Sequence, residues 1–199
     1  QPIVVYNESI MQAGPTVEGK SPNKHNKFKL SVEPLEAGVV KAFNEGVISE
    51  TSKGKALIDA LIEAGLPRNQ AKKVIAFKRN NVFIDTSKGV QFLQDIKELV
   101  IQGFLDAVEN GPLAKEKMVG VKVMIEDATI HVDPAHRGPT QIVPAIRRPI
   151  FASIMQAKPI MLEPKQKLVV LAPQTYMSSV IGAIQGRRGQ VLEVEQEGE

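Results

Sequence analysis

Val119-Gly120-Val121-Lys122-Val123-Met124-Ile125-Glu126-Asp127-Ala128-Thr129-Ile130-His131-Val132-Asp133 is too long and too rich in β-branched residues for a loop. Its apolar side chains fall on odd positions at Val121, Val123 and Ile125, then on even positions at Ala128, Ile130 and Val132. Side chains on a strand alternate between faces with a period of two, so the change of phase predicts a β-bulge near Glu126-Asp127. Past that bulge Asp127, Thr129, His131 and Asp133 share the polar face, which makes His131 a surface residue of a sheet. The run ends in Asp133-Pro134-Ala135-His136-Arg137-Gly138-Pro139-Thr140-Gln141. A turn flanked by Pro and Gly places its side chains at an extremity of the domain, so His136 is expected to be displayed to a large partner.

Elements can be read outward from this strand. Downstream, Gln141 to Ala157 predicts a helix burying Ile142, Ala145, Ile146, Ile150 and Ile154. Pro144 fits its first turn, whereas Pro149 removes an interior hydrogen bond and predicts a kink. Upstream, a helix is expected from about Val90 to Glu109 on the stripe Leu93, Ile96, Val100, Phe104 and Ala107, stopped by Asn110-Gly111-Pro112. Residues 73–77 and 82–86 read as short strands around Arg79-Asn80-Asn81. Ser52 is a candidate cap for a helix carrying Leu57, Ile58, Leu61 and Ile62, which Gly65 and Pro67 end. Another helix follows Pro34, with Leu35, Val39, Ala42 and Phe43 on one face and Gly46 at its end. Residues 2–11 and 27–33 read as two strands flanking a basic loop, the second with Phe28, Leu30 and Val32 alternating with Lys29, Ser31 and Glu33.

The organisation changes after Lys158. Pro159 to Glu163 reads as an apolar bridge ending at Pro164, Leu168 to Leu171 as a buried strand, Gln174 to Gln185 as a helix and Gln190 to Val194 as a strand. A single βαβ unit of roughly 30 residues rarely makes a core alone, so the chain is expected to stop inside a second domain. No internal repeat or low-complexity tract is visible.

Composition narrows the function classes. The chain has 199 residues, 43% of them hydrophobic, enough for a real core. No apolar run approaches the roughly 20 residues of a membrane span, and the N-terminus lacks the order of a signal peptide, so no membrane partner and a cytoplasmic location are expected. The absence of cysteine excludes disulfides, thiolate metal sites and cysteine nucleophiles. The net charge of +3 conceals an asymmetry: Glu193, Glu195, Glu197 and Glu199 stand in the last ten residues without a base, and 25 bases against 18 acids leave +7 over residues 1–189. Such a balance favours a polyanionic partner. It is concentrated in Lys20-Ser21-Pro22-Asn23-Lys24-His25-Asn26-Lys27-Phe28-Lys29, which carries four lysines and no carboxylate. That stretch is either a solvated hairpin tip or a nucleic-acid contact.

Motifs for catalysis are absent or misplaced. No Gly-x-x-x-x-Gly-Lys-Ser/Thr is present, and Gly182-x-x-x-Gly186-Arg187-Arg188 lies at the end of a helix where a phosphate loop must open one. There is no Gly-x-Ser-x-Gly elbow. His131-x-Asp133-x-x-His136 has residue types that suit zinc or iron and leaves a metal-dependent hydrolase as an alternative, although one strand end followed by a Pro turn gives the three no obvious shared focus.

Several motifs occur together in a fixed order: Ser21-Pro22-Asn23-Lys24-His25-Asn26; Asn110-Gly111-Pro112-Leu113; His131-x-Asp133-x-x-His136-Arg137-Gly138 with Gln141-Ile142-x-Pro144-x-x-Arg147-Arg148; Met161-Leu162-Glu163-Pro164; and Arg187-Arg188-Gly189. Over nearly its whole length the chain resembles the C-terminal part of archaeal and eukaryotic elongation factor 2, the translocase of protein synthesis. Gly138-Pro139-Thr140 resembles the archaeal form. The resemblance implies an α+β fold with a mixed, largely antiparallel sheet, packed helices and a left-handed βαβ crossover over residues 1–158, the family's fourth domain. It implies that residues 159–199 are a truncated ferredoxin-like βαβ unit, the opening half of the fifth. His136 matches the diphthamide site, built with a 3-amino-3-carboxypropyl group from S-adenosylmethionine by diphthamide-synthesis enzymes and ADP-ribosylated by diphtheria-type toxins.

The same resemblance implies a tip that enters the small-subunit decoding site of the ribosome, against rRNA, tRNA and mRNA. Ser21, Pro22, Asn23, Lys24, His25, Asn26 and Lys27 would form one loop of that tip, and Asp133, His136, Arg137 and Gly138 the other. Lys20, Lys24, Lys27 and Arg137 could then meet phosphates without reading bases. Catalytic residues are not expected, nor a cofactor in this segment; GTP and magnesium would belong to the N-terminal domains of the full-length protein. The basic tip alone also suits a general RNA-binding module unrelated to translocation.

Overall fold

A computed structural model describes residues 4–49 and 51–195. Residues 2 and 3 of the first expected strand, and Glu197 and Glu199 of the acidic end, lie outside the described residues. The chain divides into one compact unit up to Pro164 and another from Lys165.

The first unit is α+β and contains two mixed sheets. In chain order its elements are β1 (Asn7–Ile10), β2 (Val17–Lys20), β3 (Lys27–Pro34), α1 (Ala37–Asn44), α2 (Gly54–Glu63), α3 (Arg68–Ala71), β4 (Val74–Lys78), β5 (Asn81–Asp85), α4 (Lys97–Glu109), β6 (Lys117–Met118), β7 (Val121–Thr129), α5 (Pro139–Met155) and β8 (Pro159–Leu162). The larger sheet has the order β2-β3-β7-β5-β4, with β7 antiparallel to β3 and parallel to β5. The smaller sheet is β6-β1-β8.

The phase change in β7 has the predicted cause. Lys29 pairs with Asp127 but Leu30 pairs with Ile125, so Glu126 is the extra residue of a bulge. Before the bulge both faces are covered. Val121, Val123 and Ile125 join Phe28, Leu30 and Phe83 in a core closed by Val100 and Phe104 of α4 and Ile142, Ile146 and Ile150 of α5. Met124 faces the second core, with Val39 of α1, Leu61 of α2 and Ala71 of α3. Lys122 is buried on that second face, which is tolerable because its Nζ lies 3.2 Å from Glu33 and 2.7 Å from Glu36.

Several expectations require correction. The partner of β3 is β2 rather than residues 2–11, and β1 belongs to the smaller sheet. Gly19 weakens the strand signal of β2, but it is required: a Cβ there would stand 2.3 Å from the carbonyl oxygen of Ala145. That carbonyl is the one that Pro149, four residues on, cannot satisfy, and α5 runs on through Pro149 as one 17-residue element. The helix expected from Val90 begins only at Lys97, after a 3-10 turn at Gln94–Ile96, because Phe92 has φ 63° and Ile96 leaves helical geometry. Ser52 does not cap α2; its hydroxyl accepts the Ser49 N–H at 3.1 Å, and Lys53 stands at the cap. Pro159–Leu162 is a strand paired with β1 and not a bridge.

The second unit is simpler than expected. It contains a 3-10 turn at Gln174–Tyr176 and α6 (Met177–Gln185). Leu168 to Leu171 and Gln190 to Val194 form no strand and are largely exposed. An apolar run becomes a strand only when a neighbour takes its backbone hydrogen bonds, and no such ladder forms in this unit among the described residues.

Candidate nucleic-acid interface

Two loops meet at one end of the larger sheet because β3 and β7 are neighbours: the pairing of Lys27 with Thr129 brings the hairpin loop Ser21–Asn26 beside the segment that follows β7. The hairpin loop is locked internally. Ser21 N–H donates to the Asn26 carbonyl at 2.9 Å, and Lys24 N–H to the Ser21 carbonyl at 2.7 Å. Lys24 takes a left-handed φ of 62°, and His25 N–H donates to Asn23 Oδ1 at 3.1 Å.

Side chains from this loop then fix the other. Asn26, 0% exposed, accepts the His131 N–H on Oδ1 at 3.0 Å and donates from Nδ2 to the His136 carbonyl at 2.9 Å. Asn23 Nδ2 donates to that same carbonyl at 3.0 Å, and Asn23 N–H donates to Gln141 Oε1 at 2.9 Å. The turn carrying His136 is itself closed by Asp133, whose Oδ1 accepts the Ala135 N–H at 2.9 Å and whose carbonyl accepts the His136 N–H at 3.1 Å. Asp133 N–H donates in turn to His131 Nδ1 at 3.1 Å, which assigns His131 the tautomer with its proton on Nε2.

The outcome is a cluster of all three histidines of the chain. His25 stacks on His136 with centroids 4.6 Å apart and an angle of 15°. His131 meets both edge-on, at 4.8 Å and 4.5 Å. The side chain of His136 remains 40% exposed, with Nε2 4.0 Å from Asp133 Oδ2. Among the described residues no group of three His, Asp or Glu side chains is arranged to hold a metal ion; His131, Asp133 and His136 do adjoin, but the two imidazoles pack edge-on against each other.

The basic residues sort into two kinds. Lys20 lies 3.2 Å from Glu18 and Lys29 lies 3.5 Å from Asp127, whereas Lys24 and Lys27 are exposed and make no ion pair among the described residues. Arg137 is not displayed. It is 7% exposed, its guanidinium donates to Asp95 at 3.2 Å and lies 5.0 Å from the centre of the Phe92 ring. Ser21 and Asn26 are likewise buried, and Gly138 is the N-cap residue of α5, its carbonyl accepting the Gln141 and Ile142 N–H groups. The outward surface thus consists of Pro22, Lys24, His25, Lys27, Asp133 and part of His136. Asp95 and Phe92 were missed as braces of the tip; nothing local in the sequence marks them.

A sequence profile of elongation factor G, domain IV, matches residues 49–158, a span that includes β7, the His136 turn and α5. The chain belongs to the elongation factor G domain IV family. Elongation factor 2 of Methanosphaera stadtmanae is 46% identical over 200 residues, covering 100% of this chain and 27% of its own length. That of Methanococcus vannielii is 48% identical over 203 residues, 100% of this chain and 28% of the relative. The Archaeoglobus fulgidus protein is 46% identical over 198 residues, 100% of this chain and 27% of the relative. The chain therefore spans little more than a quarter of the length of these relatives, and the domain it shares with the profile is domain IV rather than a GTPase domain. Among the described residues no helix of this domain IV protein is long and apolar enough to cross a membrane.

Proposed function

We propose that this chain is the ribosome-entering end of an archaeal-type translocase, and that the two braced loops are the part that meets rRNA, tRNA and mRNA at the small-subunit decoding site. The observation that carries the reading is the double hold on the His136 carbonyl by Asn23 and Asn26, which fixes a half-exposed imidazole against the hairpin that carries Lys24 and Lys27, two exposed lysines without ion pairs among the described residues. Phosphates attract Lys24 and Lys27 whatever the sequence of the RNA, which suits a factor that acts on every codon. Ser21, Asn23, Asn26, Arg137 and Gly138 serve this site as supports.

His136 is the proposed diphthamide position and the site at which ADP-ribosylating toxins would act. The extension would lengthen the ring's reach and add a fixed cation. Residues 1–158, together with β8, which pairs with β1, are read as domain IV with a left-handed βαβ crossover, and the unit from Lys165 as part of a ferredoxin-like domain V. GTP and its magnesium would be held elsewhere in the full-length protein, and a preparation of these 199 residues is expected neither to bind nor to hydrolyse GTP. The location is read as cytoplasmic.

The test is translocation by the full-length factor with His136 intact or replaced by Ala. Slower movement of tRNA and mRNA, or more frequent loss of reading frame, is expected; an unchanged rate and unchanged fidelity would falsify the assignment. Intact mass of protein from an archaeal host and from a bacterial host is expected to differ by the diphthamide group. RNA affinity without competition against elongation factor on ribosomes would instead favour a general RNA-binding module.

A further inference from the structure

This inference rests on the reading that the tip meets RNA, and it names what the tip takes there. His25 is exposed, although one face of its ring lies on His136 at 4.6 Å and its ring also meets His131 at 4.8 Å. A surface imidazole on a hairpin would ordinarily sample several rotamers. Here the His136 ring stacks on one face, the His131 ring meets it edge-on, and the backbone N–H of His25 is tied to Asn23 Oδ1 at 3.1 Å next to the left-handed Lys24. Little freedom is therefore left to lose when a partner binds. With one face covered and the residue still exposed, the accessible area is the outward face and edge. It is flanked in sequence by Lys24 and Lys27, both exposed and without ion pairs among the described residues.

An aromatic face with cations before and after it is the chemistry that takes one unstacked nucleobase together with its neighbouring phosphates. Bases inside a duplex cannot use such a face, since both of theirs are already stacked. We propose that His25 is the stacking platform for a single unpaired nucleobase of RNA, that Lys24 and Lys27 contact the adjoining phosphates, and that base, His25 and His136 form a continuous stack. His25 adds selectivity for exposed bases to a tip whose lysines are indifferent to sequence.

The experiment uses the full-length factor and a single-stranded oligouridylate with 2-aminopurine at its centre, whose weakly stacking neighbours leave its fluorescence high until the base stacks on the protein. Wild-type protein is expected to bind and quench. His25→Ala is expected to weaken binding roughly 5- to 150-fold, the range that loss of one base–aromatic stack produces, and to remove the protein-dependent quench. His25→Trp is expected to restore both, which a merely structural role for the imidazole would not predict. Lys24→Ala and Lys27→Ala are expected to lower the slope of log affinity against log salt by about 0.7 each while the quench at saturation persists. The proposal is overturned if His25→Ala binds and quenches like wild type, or if wild type produces no quench. In either event the tip reading is decided separately, by the translocation rate of His136→Ala, which does not depend on the aminopurine signal.

Discussion

The loop Gly111–Glu116 and the turn Asp133–His136 are both gripped by a polar side chain that is 0% exposed and comes from far away in the sequence. Glu8 holds the first: its carboxylate accepts the N–H groups of Leu113 and Ala114 at 2.8 Å and of Glu116 at 3.0 Å. Gly111 lets the loop approach, since a Cβ there would stand 2.4 Å from Glu8 Oε2. Asn26 holds the second through the His131 N–H and the His136 carbonyl. The two grips differ in what they fix. Glu8 engages only backbone donors and secures a fold, while Asn26 positions one particular residue whose ring then enters a half-exposed cluster. Recurrent Pro/Gly motifs thus divide into those that close the structure and those that display something.

Breaking the first grip is expected to cost the most. Glu8→Ala leaves three part-buried N–H groups without their acceptor, and at about 1 kcal/mol for each, the low end for groups that water can partly reach, the loss should reach about 3 kcal/mol. Urea denaturation of the 199-residue chain measures it; a loss below about 1 kcal/mol would mean that water takes over the role of Glu8. Asn26→Ala is expected to cost less, about 2 kcal/mol, because Asn23 still donates to the His136 carbonyl and only the His131 N–H is stranded. Hydrogen exchange separates the two variants. Faster exchange confined to the His131 amide is expected for Asn26→Ala, and spread to the core would contradict a local grip. Gly19→Ala probes a third attachment, made by absence of a side chain. Forcing a Cβ against the Ala145 carbonyl is expected to cost about 1–2 kcal/mol through a shift of β2 against α5, read as a drop in the urea midpoint.

What the sequence discloses follows from the range over which each effect acts. The bulge at Glu126 was legible because alternation is local and its phase error can be counted. The α5 core face was legible for the same reason. Strand partnership was not: β3 chooses β2 because a glycine permits close approach to α5, a fact of tertiary packing. Leu168 to Leu171 has a strand's composition but no ladder partner within its unit among the described residues. At the site, the exposed lysines and His136 could be placed from local pattern, but the burial of Arg137 depends on Asp95 and Phe92, and the histidine cluster on the pairing of Lys27 with Thr129. Residue types disclosed the chemistry; register decided which groups face outward.

Lys24 is where the distinction between gripping and displayed residues can be tested with the smallest change in stability. Its side chain is exposed and makes no ion pair among the described residues, and its backbone sits at φ 62°, where glycine is at ease and lysine is not. Lys24→Gly therefore removes a charge and relieves strain at once, while giving back some entropy to the unfolded chain. The two backbone terms oppose each other, so the urea midpoint should imply a change within about 1 kcal/mol in either direction. Affinity for single-stranded RNA at low salt should nevertheless fall, and the salt slope should shrink by about 0.7, the signature of one lost phosphate contact. Stability and RNA affinity falling together would make Lys24 part of the scaffold. Affinity falling alone makes it part of what the scaffold exists to present.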